Sequence, residues 1–390
     1  MSSLKGVNTG LKPDCEVLKL KDFTQESIRE WLKLAFNLSS VSQGRQLQPL
    51  WSGYGDLVQF DLLVNINEYD SLLSVVAKWV KPPLEVNHPR GWQSNLAHQR
   101  KITSYQVEKN AYALFNQTQV LENWPTGLRM PYCYHASIDN GSQQQLLVLE
   151  DLNQSGFSQR FDRLPVPMTH GCIQWLADLH GYFLIDREKG KNTPFHLDNF
   201  LTLDKSLTFA QGLYEPYGSW PIGSYWHLAT RPDEWQAMPN SKLKEQAGLL
   251  DKTLNELRFQ TLIHGDAKVA NFCFSNPQQG EAYKVAALDF QYLGMGCGMK
   301  DVIYFLGSCL TETECEQNWQ TLLDLYFFRL KETLASLNSS IPVDELETEW
   351  RFAFELAWAD FQRFLEGWSP THKKNTGFSR ALTASALSKL

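Results

Sequence analysis

The chain has 390 residues, of which 43% are hydrophobic and 20% charged, so it has the balance of a folded protein and exceeds the usual size of a single hydrophobic core. No segment approaches the roughly 20 apolar residues that span a bilayer, and a net charge of −7 disfavours broad nucleic-acid binding. Residues 1–10 are polar and carry no secretion signal, so we expect a cytoplasmic protein.

The seven cysteines are widely scattered, with no Cys-x-x-Cys pair and no His spacing suited to zinc. We interpret them as free thiols, most of them buried. They occupy positions 15, 133, 172, 273, 297, 309 and 315.

The first part of the chain predicts a small antiparallel sheet with accompanying helices. Apolar residues recur at helical spacing after Thr24, which fits an N-cap, and later alternate as in half-buried strands. The predicted elements are, in chain order, a helix over 24–38, strands over 57–64 and 72–80 with a turn over 65–70, a helix over 96–115 and a strand over 146–149.

The second part predicts mostly helices, because apolar faces recur at helical spacing. These helices are expected over 168–185, 241–259, 301–311, 317–337 and 344–367. No linker rich in Gly, Ser or Pro separates the two parts. We therefore predict an α+β fold with two units, residues 1–150 with the sheet and residues 151–390 with most of the helices.

The strongest local signal is the run His264-Gly265-Asp266 with Asn271 five residues after the Asp, followed by a turn signal, an apolar run and Asp289-Phe290. This pattern predicts a loop that feeds a hairpin, and the far end of the hairpin delivers the second Asp. Phosphoryl transfer requires a carboxylate at the attacking hydroxyl and oxygen ligands for a metal ion between phosphates. Asp266, Asn271 and Asp289 supply these groups.

This motif resembles the aminoglycoside phosphotransferase and choline/ethanolamine kinase superfamily, and it is most similar to the ecdysteroid-kinase-like branch. The resemblance implies a bilobal, protein-kinase-like fold that uses ATP and Mg²⁺. It implies that Asp266 is the catalytic base, that Asn271 and Asp289 bind the metal, and that Lys268 contacts the transferred phosphate. Lys268 could also be merely solvated.

The resemblance assigns further cofactor-binding residues to the first part of the chain. Lys78, in the strand sequence Val-Ala-Lys, matches the lysine that binds the α- and β-phosphates, and Glu108 on the next helix is its expected partner. They could instead form a plain surface pair.

Two other segments are assigned to the nucleotide. Gly53 and Gly55 stand between strands and could let backbone N–H groups approach phosphate, or they could simply form a hairpin turn. Glu150 and Leu152 follow a strand, where the backbone would hydrogen-bond adenine.

Departures from protein kinases point to a small acceptor. Gly265 stands where protein kinases carry an Arg that binds a phosphorylated activation loop, and only residues 290–300 separate Asp289 from Asp301. We interpret His264 as shaping the loop and Asp301 as an N-cap or a brace for it. His180 is interpreted as a packing residue.

An aromatic-rich stretch marks the region in which related kinases build the acceptor pocket. Its rings could bind a cationic amine by cation–π attraction, with acidic Glu215, Asp233 or Glu234 nearby, or stack on a sterol or a sugar. They could equally be structural packing. The rings are those of Tyr214, Tyr217, Trp220, Tyr225, Trp226 and Trp235.

The sequence therefore predicts an ATP-dependent kinase that phosphorylates a hydroxyl of a small molecule, an amino alcohol, a sugar or a sterol-like alcohol. The alternative is a catalytically weak nucleotide-binding pseudokinase that acts as an interaction module. A protein kinase is disfavoured by the short run after Asp289. A third alternative is ATP hydrolysis without an acceptor.

Overall fold

A computed structural model describes residues 24–50, 53–66, 69–83, 94–118, 123–139, 141–189, 191–192, 218–278 and 281–390. The first part contains the helices α1 (Gln25–Ala35) and α2 (Ser94–Thr118). Its strands are β1 (Ser40–Val41), β2 (Arg45–Pro49), β3 (Gly55–Ile66), β4 (Tyr69–Val80), β5 (Cys133–Ile138) and β6 (Gln145–Glu150).

These six strands form one antiparallel sheet in the order β1-β3-β4-β6-β5, with β2 paired to β3. Side chains alternate between the faces of each strand. Val75 and Ala77 of β4 are buried in the cluster under α1, whereas Val76 and Lys78 line a cleft on the opposite face. The alternation thus carries Lys78 into the cleft.

Helix α1 begins as the sequence predicts. The Thr24 side chain accepts a hydrogen bond from the Ser27 N–H, and the Ser27 hydroxyl completes the reciprocal capping box. Serine thus takes the place that Glu usually occupies.

The second part is mostly helical, with short strands that support the loops. Its strands are β7 (Ile185–Asp186), β8 (Lys191–Asn192), β9 (Phe259–Ile263), β10 (Phe272–Phe274), β11 (Val285–Ala287) and β12 (Gly294–Gly296). Its helices are α3 (Val166–Tyr182), α4 (Pro232–Ala237), α5 (Lys242–Glu245), α6 (Ala247–Asn255), α7 (Met299–Cys309), α8 (Glu312–Ser336), α9 (Val343–Trp368) and α10 (Gly377–Lys389).

The predicted α+β fold class is confirmed, and most predicted elements are present. The helix expected over 241–259 is wrong in extent, since the chain forms α5 and α6 and then enters β9 at Phe259. Strand β9 lies between β7 and β12 and is buried throughout, so tertiary pairing overrides the helical periodicity. None of the described helices is long and apolar enough to cross a bilayer.

A buried polar cluster joins α9 to the rest of the second part. The Asp360 carboxylate accepts hydrogen bonds from Trp226 Nε1 at 3.0 Å and from Arg363 Nη2 at 2.8 Å, and Lys300 Nζ lies 3.8 Å away. The side chains of Asp360, Arg363 and Lys300 are fully buried. The carboxylate is therefore the counterion for two buried cations.

Replacing Asp360 with Ala is expected to lower the free energy of unfolding by about 3–5 kcal/mol, because two buried cations lose their counterion. Chemical denaturation measures this loss. The control is Asp324→Ala, which removes the exposed partner of Arg351 and should cost less than about 1 kcal/mol. Equal effects of the two substitutions would contradict this role of Asp360.

Candidate active site

A cleft of about 980 Å³ lies between the large sheet and the helical part. It contains side chains from both predicted units. Among its lining residues are Lys78, Lys101, Glu108, Glu150, Leu152, Tyr225, Asp266, Lys268, Asn271, Asp289, Gln291, Tyr292, Tyr304 and Trp368. A separate cavity of about 180 Å³ beside Trp175 contains none of the predicted site residues.

Lys78 and Glu108 form a buried ion pair at the sheet side of the cleft. Lys78 Nζ lies 2.8 Å from Glu108 Oε1 and 2.6 Å from Oε2, and both side chains are less than one-tenth exposed. Burial alone would lower the pKa of Lys78, but the carboxylates of Glu108 and Asp289 raise it above its usual value. The lysine is thus held as a fixed cation facing the cleft.

The loop that carries Asp266 leaves β9 through a tight backbone turn. Gly265 has φ +76°, and a Cβ atom there would lie 2.0 Å from the Tyr292 carbonyl oxygen. Only glycine fits this combination of positive φ and close approach. The position that lacks the Arg of protein kinases is therefore also one that cannot accept a side chain.

Asp301 braces this loop from the first turn of α7. Its carboxylate accepts hydrogen bonds from the backbone N–H groups of His264 at 2.6 Å and Gly265 at 2.9 Å. His180 Nε2 lies 3.1 Å from the same carboxylate, and His180 Nδ1 lies 2.8 Å from the Tyr326 hydroxyl. His180 is therefore a polar link in the brace rather than a packing residue alone.

His264 is fully buried and shapes the loop. Its Nε2 lies 3.1 Å from the Leu288 carbonyl oxygen, and the Asp266 N–H donates to its Nδ1 at 3.3 Å. Both ring nitrogens therefore have partners within the protein, and the ring ties the loop to the hairpin.

The Asp266 carboxylate is positioned by two neighbours in its own loop. Lys268 Nζ lies 2.8 Å from Asp266 Oδ2, and Asn271 donates through Nδ2 to the Asp266 carbonyl at 2.8 Å and to Oδ2 at 3.2 Å. The Lys268 side chain is 37% exposed. Burial would lower the pKa of Lys268, but Asp266 and Asp289 raise it.

Asp289 stands at the end of the hairpin formed by β10 and β11, as the motif predicts. Its φ of +67° lies in the left-handed region, which Asp and Asn adopt more readily than other residues with a Cβ. Burial would raise the pKa of Asp289, but the ammonium groups of Lys78, Lys268 and Lys101 lower it. The carboxylate is thus charged and surrounded by cations.

Asp289 and Asn271 present oxygen atoms that fit a hard cation. Asp289 Oδ1 is buried and accepts no hydrogen bond in the described part of the chain, and Asn271 uses its amide nitrogen for Asp266, so its oxygen is available. Among the described residues no group of three or more His, Cys, Asp or Glu could hold a metal ion. Mg²⁺ commonly binds one or two carboxylates together with water and phosphate oxygens, so two protein ligands suit it.

The segment after Asp289 is held against α2. Gln291 Oε1 accepts hydrogen bonds from Lys101 Nζ at 2.9 Å and from Ser104 Oγ at 3.1 Å. Residues 294–296 then pair with β9. The segment is thus part of the fold and forms no separate docking loop.

The predicted adenine segment lies at the end of β6. The Glu150 carboxylate accepts a hydrogen bond from the Tyr132 N–H at 2.9 Å and pairs with Arg129, so its side chain is used structurally. The Leu152 N–H makes no backbone hydrogen bond in the turn that follows β6, whereas the Leu152 carbonyl accepts from Phe157 N. The backbone, not the Glu150 side chain, is the group available here.

Gly53 and Gly55 form the turn between β2 and β3 and both have positive φ. A Cβ on Gly55 would lie 2.1 Å from the Trp79 carbonyl oxygen, so this glycine is required by the hairpin itself. The cleft wall nearby is formed by residues 47–50 and Leu57, and neither glycine is among the lining residues. Their phosphate role stays a prediction.

The aromatic stretch divides between packing and the cleft. Trp226 is fully buried, Trp220 donates to the Gln291 carbonyl at 2.8 Å, and Trp235 is 38% exposed. Of the described rings in this stretch, only Tyr225 lines the cleft. Tyr214, Glu215 and Tyr217 lie outside the described residues.

Several cleft residues were missed from the sequence. Tyr304 comes from α7 and Trp368 from the end of α9, and together with Tyr225 and Tyr292 they line the cleft beside Asp266. We call these four rings the aromatic end of the cleft. They come from segments far apart in the chain, and apolar periodicity alone marks Tyr304 and Trp368 as core residues.

Comparison with known proteins gives one family match. The model of the ecdysteroid kinase-like family matches residues 98–339. A search of the curated proteins finds no match.

Three solved structures illustrate the similarity to other proteins. An aminopropanol kinase associated with a microcompartment is 12% identical, with 92% of this chain and 94% of that chain covered and a TM-score of 0.44. A thermostable mutant of aminoglycoside phosphotransferase APH(4)-Ia is 12% identical, with 93% and 98% covered and a TM-score of 0.39. Choline kinase LicA from Streptococcus pneumoniae is 12% identical, with 94% and 99% covered and a TM-score of 0.39.

Proposed function

The chain belongs to the ecdysteroid kinase-like family of phosphotransferases, and we propose that it transfers the γ-phosphate of ATP to a hydroxyl of a small molecule in the cleft described above. The resemblance inferred from the His-Gly-Asp motif agrees with this membership. One observation carries the proposal: Asp266, Asn271 and Asp289 line the same cleft as the Lys78–Glu108 ion pair.

The protein groups provide a cationic seat for the phosphates. Lys78, fixed by Glu108, binds the α- and β-phosphates, and Lys268 binds the phosphate that is transferred. Asn271 and Asp289 would hold Mg²⁺, which, when bound, neutralises charge on the phosphate oxygens. The backbone of Glu150 and Leu152 binds adenine. The phosphate role of Gly53 and Gly55 stays a prediction from the sequence, since neither glycine lines the cleft.

Asp266 orients the acceptor hydroxyl and takes its proton. As the bond from the acceptor oxygen to the γ-phosphorus forms, the bond from that phosphorus to the β–γ bridging oxygen breaks, and ADP leaves with the electron pair. Lys268 and Asn271 hold the Asp266 carboxylate in place during this exchange. We expect most of the rate acceleration to come from the positioning of the two substrates and from the neutralisation of charge on the phosphates.

The segment after Asp289 favours a small acceptor. Gln291 is tied to α2, residues 294–296 pair with β9, and α7 begins at Met299. A peptide substrate would need a longer surface at this position. We place the acceptor at the aromatic end of the cleft, because its four rings lie beside Asp266.

Magnesium-dependent release of ADP in a panel of alcohols tests the proposal. We expect that one class of alcohol raises ADP release well above the rate in buffer and that EDTA abolishes this increase. ATP binding without stimulation by any alcohol would favour the pseudokinase alternative. Absence of Mg-ATP binding in calorimetry would contradict both functions.

A further inference from the structure

The charged groups at the aromatic end of the cleft restrict which charge an acceptor can carry. Asp266 is the carboxylate nearest the reacting hydroxyl, and Lys268 is already paired with it at 2.8 Å. Glu234 is buried and pairs with Arg231 at 3.2 Å. The acidic groups named here thus have cationic partners within the protein.

Cationic side chains of the protein already lie over two of these rings. Lys374 Nζ lies 4.0 Å from the centroid of the Tyr304 ring, and the Arg231 guanidinium lies 5.7 Å from that of Tyr225. Both distances are within the range of cation–π attraction. Tyr225 and Tyr304 also pack against each other, with ring centroids 5.3 Å apart. A cationic acceptor would therefore meet like charges on rings that are already occupied.

Lys374 differs from Lys78, Lys268 and Arg231, because within the described residues its ammonium group has no acidic partner at hydrogen-bond distance. Its ammonium group makes no hydrogen bond or ion pair within the described residues, and only its backbone N–H is bonded, to His372 Nδ1 at 3.2 Å. The ammonium lies over the rings of Tyr304 and Phe361. An ammonium group has three donors, so this one is available to an anion.

The connection between α9 and α10 holds Lys374 in this position. Asn375, the next residue, accepts a hydrogen bond from Gln362 Nε2 at 3.0 Å and donates to the Pro370 carbonyl at 2.9 Å. The ring of His372 lies 5.5 Å from that of Trp368. The backbone on both sides of the lysine is therefore anchored, and Lys374 lies against Tyr304, which lines the cleft, although Lys374 itself is not among the lining residues.

We propose that Lys374 binds an anionic oxygen group of the acceptor, such as a carboxylate or a sulfonate, and that the acceptor is therefore a hydroxylated anion and not a cationic amino alcohol. This inference rests on the proposed function, since it names the substrate class of the same site. It assigns to the connection between α9 and α10 a residue that determines specificity. The anionic group of the acceptor accepts a charge-assisted hydrogen bond from the Lys374 ammonium, as carboxylates in other proteins do from Arg and Lys.

The pKa of Lys374 makes anion binding at this residue depend on pH. Burial lowers its pKa to about 7; Asp266 opposes this shift, and Lys268 and Lys373 add to it. The other titratable group that faces it is Cys309 of α7, with the Tyr304 hydroxyl on the same helix. The lysine is charged below about pH 7, so affinity for an anion is present at pH 6 and is lost as the pH rises toward 8.5.

The experiment uses primary alcohols on shared scaffolds that end in a carboxylate, a sulfonate, a primary amide or an ammonium group. The full-length chain is assayed for ADP release with Mg-ATP. We expect anionic members to have the highest kcat/KM, and Lys374→Met to raise their KM about 10- to 100-fold, the value of a hydrogen bond to a charged group. The amide members should change little. Lys373→Met, at the exposed neighbouring lysine, is the matched control and should leave all values within about twofold at pH 6, where Lys374 is protonated with or without the Lys373 charge.

The pH profile and a conservative variant separate recognition from a structural role. In the wild type, the ratio of kcat/KM for carboxylate over amide should fall about tenfold per pH unit above pH 7 as the lysine loses its proton. Lys374→Arg should keep the preference with no such fall, because Arg stays protonated. Preference for the ammonium members, or an unchanged carboxylate KM in Lys374→Met, would overturn the proposal.

If no member of the panel is phosphorylated, binding measurements still test the role of Lys374. Calorimetry with the carboxylate and sulfonate members, with and without AMP-PNP, should show binding to the wild type that Lys374→Met loses and Lys373→Met keeps. No such difference would overturn the inference. Failure of Mg-ATP to bind, with anion binding at Lys374 intact, would instead contradict the proposed function alone.

Discussion

Replacing Asp266 with Asn is expected to lower kcat by about 10²- to 10⁴-fold, the usual contribution of a positioned general base, with little change in the Kd for Mg-ATP. The amide is nearly the same size as the carboxylate and can still accept from Lys268. It cannot take the proton of the acceptor hydroxyl. Pre-steady-state kinetics for kcat and calorimetry for ATP separate these two effects.

Asp162 provides the matched control for this substitution. It lines the same cleft but is exposed at the rim, so Asp162→Asn should leave kcat and the ATP Kd within about twofold, as expected of a surface change. Full turnover in Asp266→Asn, with the acceptor that the wild type uses, would show that another group serves as the base.

Replacing Asp289 with Asn is expected to remove most of the gain in ATP affinity that magnesium provides. In the wild type the carboxylate repels the phosphates of metal-free ATP and attracts Mg²⁺. Without that charge, ATP in EDTA should bind at least as tightly as in the wild type, while Mg-ATP should lose about 10- to 1000-fold, as expected for one close charge pair in a partly buried site. Asn is chosen over Ala because φ is +67° at this position, a conformation that Asn tolerates.

Calorimetry with ATP in magnesium and in EDTA measures both affinities for each protein. Gln291, two residues further on, supplies the control, since Gln291→Glu adds a negative charge close to Asp289 and should not remove the benefit of magnesium. If magnesium strengthens ATP binding equally in the wild type and in Asp289→Asn, the metal role of this carboxylate is wrong.

The sequence predicts best those features that local patterns encode. Alternation in β4 places Lys78 on the cleft face, and the spacing of Asp266, Asn271 and Asp289 follows from one loop and one hairpin. These relations span few residues, and steric rules fix them. The requirement for glycine at position 265 was not predicted from the sequence, because it follows from a positive φ and from the close approach of the Tyr292 carbonyl, which only the structure shows.

Features built by distant segments could not be predicted in this way. Lys374 lies in an ordinary polar connection, and only the packing of α9 and α7 brings it over the Tyr304 ring. Trp226 and Tyr225 are adjacent in sequence, yet one is a core residue tied to Asp360 and the other faces the cleft. Aromatic composition alone does not separate these roles.

The fate of the γ-phosphate tests the central claim most directly. ATP labelled in its γ-phosphate is incubated with the chain, magnesium and the alcohol panel, and mass spectrometry follows the label. We predict that the label enters one low-molecular-weight alcohol as a phosphate ester in the wild type and that Asp266→Asn forms this ester far more slowly. Recovery of all the label as inorganic phosphate, or as phosphorylated protein, would contradict the account.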